Sequence, residues 1–300
     1  MVTAANIKDL RERTGAGMVD CKNALTEAEG DIDRAIEILR EKGLSAISKK
    51  AGRVASEGLS HAVVENGLGI VLEVNSETDF VAKNAEFVKF VNDVASQIAT
   101  SSSANSEELL KEKWNLDNSL TVEDALSQKI ATIGEKLSIR RFEKFAVAPN
   151  AELVTYVHMG GRVAVLVELT GEGDLASVGK DVAMQIAAMN PQFVSSEDVS
   201  AEYIEKEKKI LTEQALAEGK PANIVEKMIE GRLSKGLREI CLNDQEFVKD
   251  SDYTVKSYLE KNLGKNAKVL RFVRFETGEG IEKKAENFAE EVAKTMNGWL

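Results

Sequence analysis

The feature that most constrains this chain is that part of it is written twice. Glu73-Val-Asn-Ser-Glu77-Thr-Asp79-Phe80 aligns with Glu168-Leu-Thr-Gly-Glu172-Gly-Asp174-Leu175 at a constant offset of 95. Further on, Val94-Ala-Ser-Gln-Ile-Ala99 aligns with Val182-Ala-Met-Gln-Ile-Ala187 at an offset of 88, so the first copy carries seven extra residues between strand and helix. A hairpin signal opens each copy: residues 61–65 and 70–74 flank Asn66-Gly67-Leu68-Gly69, and 155–158 and 162–169 flank Gly160-Gly161. A helix follows, over 84–100 in the first copy, with Phe87, Phe90, Val91, Val94 and Ile98 on one side, and over 175–189 in the second. Each copy ends on an alternating basic-aromatic strand, Ile139-Arg-Arg-Phe-Glu-Lys-Phe145 or Val269-Leu-Arg-Phe-Val-Arg-Phe275. The core therefore reads as two related α+β halves with antiparallel sheets, joined near Pro149-Asn150. The period is too long and the copies too few for a solenoid.

The insertions differ between the copies. The first is expected to carry two modest helices, 106–113 and 122–136. The second carries 199–216 and 222–237, joined at Gly219-Lys220-Pro221, with Gly after one helix and Pro opening the next. Ile204, Leu211, Ile224, Met228 and Leu233 could form the seam of a protruding antiparallel helical hairpin over 199–238. It reads equally as a solvated arm or as one that touches a partner or a second copy. Residues 278–300 are expected to form a C-terminal amphipathic helix striped by Phe288, Val292 and Met296.

Ahead of the core lies a compact three-helix unit. Thr3 caps a helix over 4–13 with Ile7 and Leu10 inward, and Thr14-Gly15-Ala16-Gly17 ends it. The second helix, 18–28, turns Cys21, Leu25 and Ala28 inward. The third starts at Asp31, carries Ile32, Ile36 and Leu39, and is expected to end at Gly43. The unit resembles a ubiquitin-associated (UBA-like) fold. The stretch 44–58, with Lys49, Lys50 and Arg53, reads as a basic helix or linker. The fold class is thus α+β and helix-rich. The expected divisions are 1–54, 55–148, 149–277 and 278–300.

Composition narrows the chemistry. The 300 residues carry 39 basic and 50 acidic side chains, a formal net charge of −11, which argues against direct nucleic-acid binding. The longest apolar run, Val163-Ala-Val-Leu-Val167, is too short to span a bilayer. Two cysteines, Cys21 and Cys241, and an N-terminus without an apolar leader core point to a reducing, cytoplasmic setting. Two histidines, His61 and His158, exclude a His-based metal cluster by count, and no phosphate loop, HExxH or GxSxG motif occurs. Gly171-Glu-Gly173-Asp-Leu-Ala176 has the spacing of a dinucleotide fingerprint. It sits on one arm of an antiparallel hairpin, however, and puts Glu172 and Asp174 where a pyrophosphate needs bare N–H groups, so it reads as a capped turn. No catalytic residue, metal ligand or cofactor site is assigned, and a binding protein is expected rather than an enzyme.

Two places remain as sites. Met18 and Val19 open a helix beside a glycine turn, with Lys8 and Lys22 nearby. They form either a contact patch or an ordinary solvated face. In the extended loop of the first copy, Phe80 stands beside Asp79 where a turn residue would be expected. It is either a staple packed under its own helix, with Asp79 or Thr78 as the cap, or an aromatic anchor for a partner's pocket.

Leu10-Arg-Glu-Arg-Thr-Gly-Ala-Gly-Met-Val-Asp-Cys-Lys-Asn-Ala-Leu25 and Glu73-Val-Asn-Ser-Glu-Thr-Asp-Phe-Val-Ala-Lys83 closely resemble the two signatures of the bacterial elongation factor Ts family. The match continues through Tyr156-Val-His-Met-Gly-Gly-Arg162, Gly219-Lys-Pro221, Glu230-Gly-Arg232 and 275–282. The resemblance implies a guanine-nucleotide exchange factor for elongation factor Tu, met both with GDP and nucleotide-free. It also implies no cofactor of its own, and it leaves open a homodimer or a 2:2 assembly. It further implies that Thr78, Asp79, Phe80 and Val81 enter the GTPase near its magnesium. Lys8, Leu10, Met18, Val19 and Lys22 would grip a helix of the GTPase domain, and His158 would be a contact from the second half.

Overall fold

In the computed structural model, residues 2–50, 52–218 and 222–282 are described, with side chains given outside 44–49 and 222–226. The expected helix over 278–300 and the Gly219-Lys220-Pro221 joint fall mainly or wholly outside the described residues. Compactness divides the chain into two units that are discontinuous in sequence. One comprises 1–59, 73–141 and the residues from 276; the other comprises 60–72 and 142–275.

The first unit begins with α1 (Ala4–Thr14), α2 (Met18–Glu27) and α3 (Ile32–Lys50). The Thr3 side chain accepts from the Asn6 N–H, and Gly15 ends α1 in the left-handed region at φ 67°. Leu10, Cys21, Ala24, Leu25, Ala35 and Ile38 form the buried core, with Ile7, Ile32, Ile36 and Leu39 packed partly against it. Gly43 does not end α3, which runs one and a half to two turns further. A Cβ at Gly43 would already meet the Ala131 side chain at 3.6 Å and the Ser127 carbonyl at 3.8 Å. Gly43 thus lies where α3 packs against α7 (Val122–Ile133), at a distance that would also admit an alanine, and it does not terminate the helix.

The duplication seen in the sequence is a duplication of topology. In the first copy β1 (Glu57–Glu65) and β2 (Leu68–Ser76) join through Asn66-Gly67, both at positive φ (52° and 76°), the signature of a tight I′ hairpin. The return strand β5 (Ser138–Ala146) adds to β2, giving the order β1-β2-β5. In the second copy β6 (Ala151–His158) pairs antiparallel with β7 (Val163–Thr170), and β10 (Lys268–Glu276) adds to β7. The helices that follow the hairpins are α5 (Ala85–Thr100) and α8 (Leu175–Met189), with α4 (Asp79–Ala82) inserted before α5.

A pair of short hairpins completes the repeat. Where one helix was expected over 106–113, the chain makes α6 (Ser106–Lys111) and then β3 (Lys113–Trp114), which pairs with β4 (Asp117–Thr121) and leads into α7. The second copy makes β8 (Glu246–Phe247), β9 (Asp250–Thr254) and α11 (Val255–Leu263). Both helices start on a threonine capping box, at Thr121 and Thr254. Both hairpins are clamped by the same buried side chain. Gln97 donates to the Lys113 carbonyl (3.1 Å) and accepts from the Asn115 N–H (2.8 Å). Gln185 donates to the Glu246 carbonyl (3.1 Å) and accepts from the Val248 N–H (2.8 Å).

In the second unit, successive residues of β7 are buried on opposite faces, as a two-residue side-chain period requires. Val163, Val165, Val167 and Leu169 join a core with Val178, Val182 and Ile186 of α8 and Leu259 and Leu263 of α11. Ala164 and Leu166 turn to a second cluster with Ala62, Val71, Leu153 and Phe275. Covered on both faces, the central strand reads in sequence as an unbroken apolar run. The helical insertion is α9 (Ala201–Ala217) packed against α10 (Ala222–Ile240), with Arg232 paired to Glu218 at 3.0 Å. Ala215 is its one fully buried apolar side chain among the described residues, while Ile204, Leu211, Met228 and Leu233 are half-buried.

Candidate partner-binding surfaces

The loop between β2 and α5, which the seven extra residues of the first copy lengthen beyond Phe80, begins with a knuckle. Thr78 is its N-cap: backbone extended, hydroxyl accepting from the Val81 N–H at 3.4 Å. One helical turn then places Asp79 and Phe80 outward and Val81 inward. Val81 is buried, whereas Phe80 is 82% exposed. Phe80 is therefore no staple under its own helix. Asp79 pairs with Lys83 at 2.7 Å, and the hydrogen bond and charge of Lys83 hold its carboxyl below the ordinary aspartate value. At neutral pH the knuckle thus offers an ionised carboxylate beside a bare aromatic ring.

Its base is tied to the end of α7, which stops at Gly134 in the left-handed conformation (φ 85°). The Glu135 carboxylate accepts from the N–H groups of Glu77 (3.1 Å) and Thr78 (3.0 Å) and from the Thr78 hydroxyl (2.6 Å). The Glu77 carboxylate accepts in return from the Lys136 N–H and from Arg53 (3.3 Å). Lys50 and Lys136 add bonds to the Gly134 and Arg53 carbonyls. Sequence reading misses Glu135, Lys136 and Arg53, because nothing local pairs them with residues so distant along the chain. The one usable signal is that a carboxylate directly follows a helix-ending glycine.

The N-terminal residues divide. Met18 and Val19, 61% and 70% exposed, share the outer face of α2 with exposed Lys22. Lys8 is exposed on α1 and pairs with Glu12 at 3.7 Å. Leu10 is 0% exposed. It belongs to the buried core of the three-helix unit, together with Cys21, Ala24 and Leu25 of α2. Cys21 is buried there too. Burial pushes its thiol up, and it donates to the Ala16 carbonyl, pinning the turn that leads into Met18.

His158 lies in the second unit at the end of β6, exposed, its ring stacked on Tyr156 (centroids 5.7 Å) with Nδ1 2.9 Å from the tyrosine hydroxyl. The turn that follows runs through Met159, Gly160 and Gly161, all at positive φ (49°, 65° and 98°), so Met159 is held 73% exposed in a conformation that favours glycine. The Gly171–Ala176 turn is already filled by its own bonds. The Glu172 N–H reaches the Leu263 carbonyl at 2.8 Å and the Asp174 carboxylate caps the Ser177 N–H at 3.0 Å, leaving acidic side chains at the start of α8. No helix among the described residues is long and apolar enough to cross a membrane, and none of their His, Cys, Asp and Glu side chains cluster as a metal site.

Residues 77–279 match the family model described as Elongation factor TS. The chain is 54% identical to "Elongation factor Ts" of Clostridium novyi (strain NT), over 99% of each protein. It is 54% identical to that of Clostridium perfringens (strain SM101 / Type A) and 52% identical to that of Clostridioides difficile (strain 630), in both cases over 98% of this chain and 99% of the relative. The family-model match takes in the knuckle and the whole second copy of the repeat, the matches to the relatives span nearly the whole chain, and the chain therefore belongs to the elongation factor Ts family of translation elongation factors.

Proposed function

We propose that this chain is a guanine-nucleotide exchange factor that binds elongation factor Tu carrying GDP. It promotes GDP release by inserting residues 78–81 near the magnesium of the GTPase, and GTP then resolves the nucleotide-free complex. The observation that carries this reading is Phe80, a large apolar side chain 82% exposed on a knuckle bonded to the body of its unit. Burying a phenylalanine is worth about 1.5–3 kcal/mol, so an exposed one on a fixed support is suited to a partner's pocket. Asp79, ionised beside it, brings negative charge towards a site where a divalent cation offsets phosphate charge. Weakening that cation's hold weakens nucleotide binding. Coupling is reciprocal, so nucleotide in turn expels the factor and allows it to act repeatedly. Met18, Val19, Lys22 and Lys8 supply a second contact, with Leu10 as its support, and His158 a third. The chain acts in the cytoplasm, binds no nucleotide itself and changes no covalent bond.

The test is release of a fluorescent GDP analogue from purified elongation factor Tu. Substoichiometric factor is expected to accelerate release. Phe80→Ala is expected to slow factor-driven release about 10- to 100-fold, the equivalent of the ring's burial. Its thermal stability should match that of the parent chain, because the ring covers little of its own protein. Equal release rates with Phe80→Ala and the parent would refute the role of the knuckle.

A further inference from the structure

We infer that Glu135 is a positioning residue for exchange: its carboxylate fixes the orientation of the 78–81 knuckle and so the direction in which Phe80 is presented. The inference rests on the function proposed above.

A four-residue helix does not hold itself, since one hydrogen-bonded turn does not offset the cost of ordering it. The direction of α4 is set at its entrance, where a single carboxylate gathers three donors. Glu135 Oε2 accepts two successive backbone N–H groups, those of Glu77 and Thr78. Glu135 Oε1 accepts the Thr78 hydroxyl proton at 2.6 Å. A hydroxyl has one proton to give. With that proton committed to Glu135, a lone pair of Thr78 Oγ1 is left for the Val81 N–H. The carboxylate thereby orients the cap, and the cap orients the turn that carries Phe80. Glu77 bonds back to the Lys136 N–H, so neither strand of the anchor shifts without the other.

The second copy is an internal control. At the offset of 130 that aligns Ile139 with Val269, Gly134 corresponds to Gly264 and Glu135 to Lys265; at 95, Thr78 corresponds to Gly173. There the same junction closes on a backbone bond, the Glu172 N–H to the Leu263 carbonyl at 2.8 Å, and leads directly into α8. Leu175, in the place of Phe80, packs partly into the core. The fold of the repeat thus does without the Thr–Glu pair. Hydroxyl and carboxylate occur together in the copy that holds an aromatic ring out to solvent.

The experiment compares the full-length parent, Glu135→Ala, Phe80→Ala and the double variant in the release of a fluorescent GDP analogue from elongation factor Tu. Amide hydrogen exchange at Glu77 and Thr78 is measured in parallel. Glu135→Ala is expected to slow release about tenfold, ~1.4 kcal/mol, to speed amide exchange at Thr78, and to leave β2 protected. In the Phe80→Ala background it is expected to add nothing, because a misdirected ring and a missing ring are equivalent. Should the alanine variant fail to fold, Glu135→Gln retains one acceptor oxygen and is expected to slow release about threefold. Independent, multiplying effects of the two substitutions would assign Glu135 a merely structural role and overturn the inference. So would parent-like release by Glu135→Ala while Phe80→Ala is slow. If Phe80→Ala itself releases GDP at the parent rate, the reading of the knuckle falls instead. Unchanged Thr78 protection in Glu135→Ala overturns the positioning role in either case.

Discussion

The buried carboxylate of Glu73 offers a quantitative test of how the first unit is held together. It is fully buried within β2. Its Oε1 accepts from Arg140 (2.9 Å), Asn75 (3.0 Å) and the Gly278 N–H (2.8 Å), and its Oε2 accepts from Arg141 Nε (2.6 Å). Glu73→Gln keeps the shape. An amide nitrogen, itself a donor, must then face at least one of these donors, and the two guanidinium groups lose their counter-charge. Breaking a fully buried ion pair costs about 3–5 kcal/mol. The arginines are 28% and 32% exposed and recover part of that from water, so about 2–3 kcal/mol is expected. Burial alone would push the Glu73 carboxyl up, but its hydrogen bonds outweigh burial and hold it below the ordinary glutamate value. A folded-state value below the unfolded one means that the stabilisation is fully present above the unfolded pKa, about 4.3. It is lost as pH falls through the folded value. Urea unfolding of the parent and Glu73→Gln at a series of pH values measures this directly. The stability gap should be full at pH 7 and close progressively below about pH 4. The matched substitution Glu168→Gln, which loses one half-exposed arginine (Arg271) and one backbone donor (Ala148), should cost less. A gap below about 0.5 kcal/mol at pH 7, a gap independent of pH, or a larger cost at Glu168 would refute the argument from partner number and burial.

Gln97→Ala should lower stability by about 2–3 kcal/mol in urea unfolding, because it strips both the donor and the acceptor partner from the β3–β4 hairpin. Gln185→Ala should do the same to the β8–β9 hairpin, and a cost at one site only would contradict the equivalence of the two copies. Gly58→Ala should cost about 3 kcal/mol, read as a fall in melting temperature. Gly58 sits at φ 128°, and an added Cβ would overlap the Val74 carbonyl, so a neutral result would show that this backbone relaxes freely.

Much of the site was legible because its signals are local. Phe80 stood out as an aromatic beside an acid, Asp79, at the head of a loop seven residues longer than its duplicate, which has Leu175 in that place, and Met18 and Val19 as apolar residues opening a helix after a glycine turn. Whether Phe80 packs inward or outward was not legible. Both readings share the same cap at Thr78, and they differ only in what surrounds the ring. The burial of Leu10 was not legible from its motif, because membership of a motif does not distinguish an exposed residue from a buried one. Glu135 was invisible because its bonds reach residues 57 and 58 positions away.

The sequence by itself determined the repeat, the order of its hairpins and long helices, and the chemistry held in its matched positions. Alternation and helical spacing are properties of neighbouring residues, and a duplicated sequence duplicates them. The repeated glutamates and glutamines were visible as matched positions in the alignment, but not the partners they bond. The tertiary structure decided what needs a distant partner. It turned Gly43 from a helix end into a helix-crossing point against Ala131. It made hairpins of strands two residues long, such as Lys113–Trp114, by clamping them to Gln97. It also held Phe80 out to solvent through Glu135. A glycine inside a helix, a minimal strand and an exposed ring each cost free energy locally. Only contacts supplied from elsewhere in the fold offset that cost, and local sequence does not carry them.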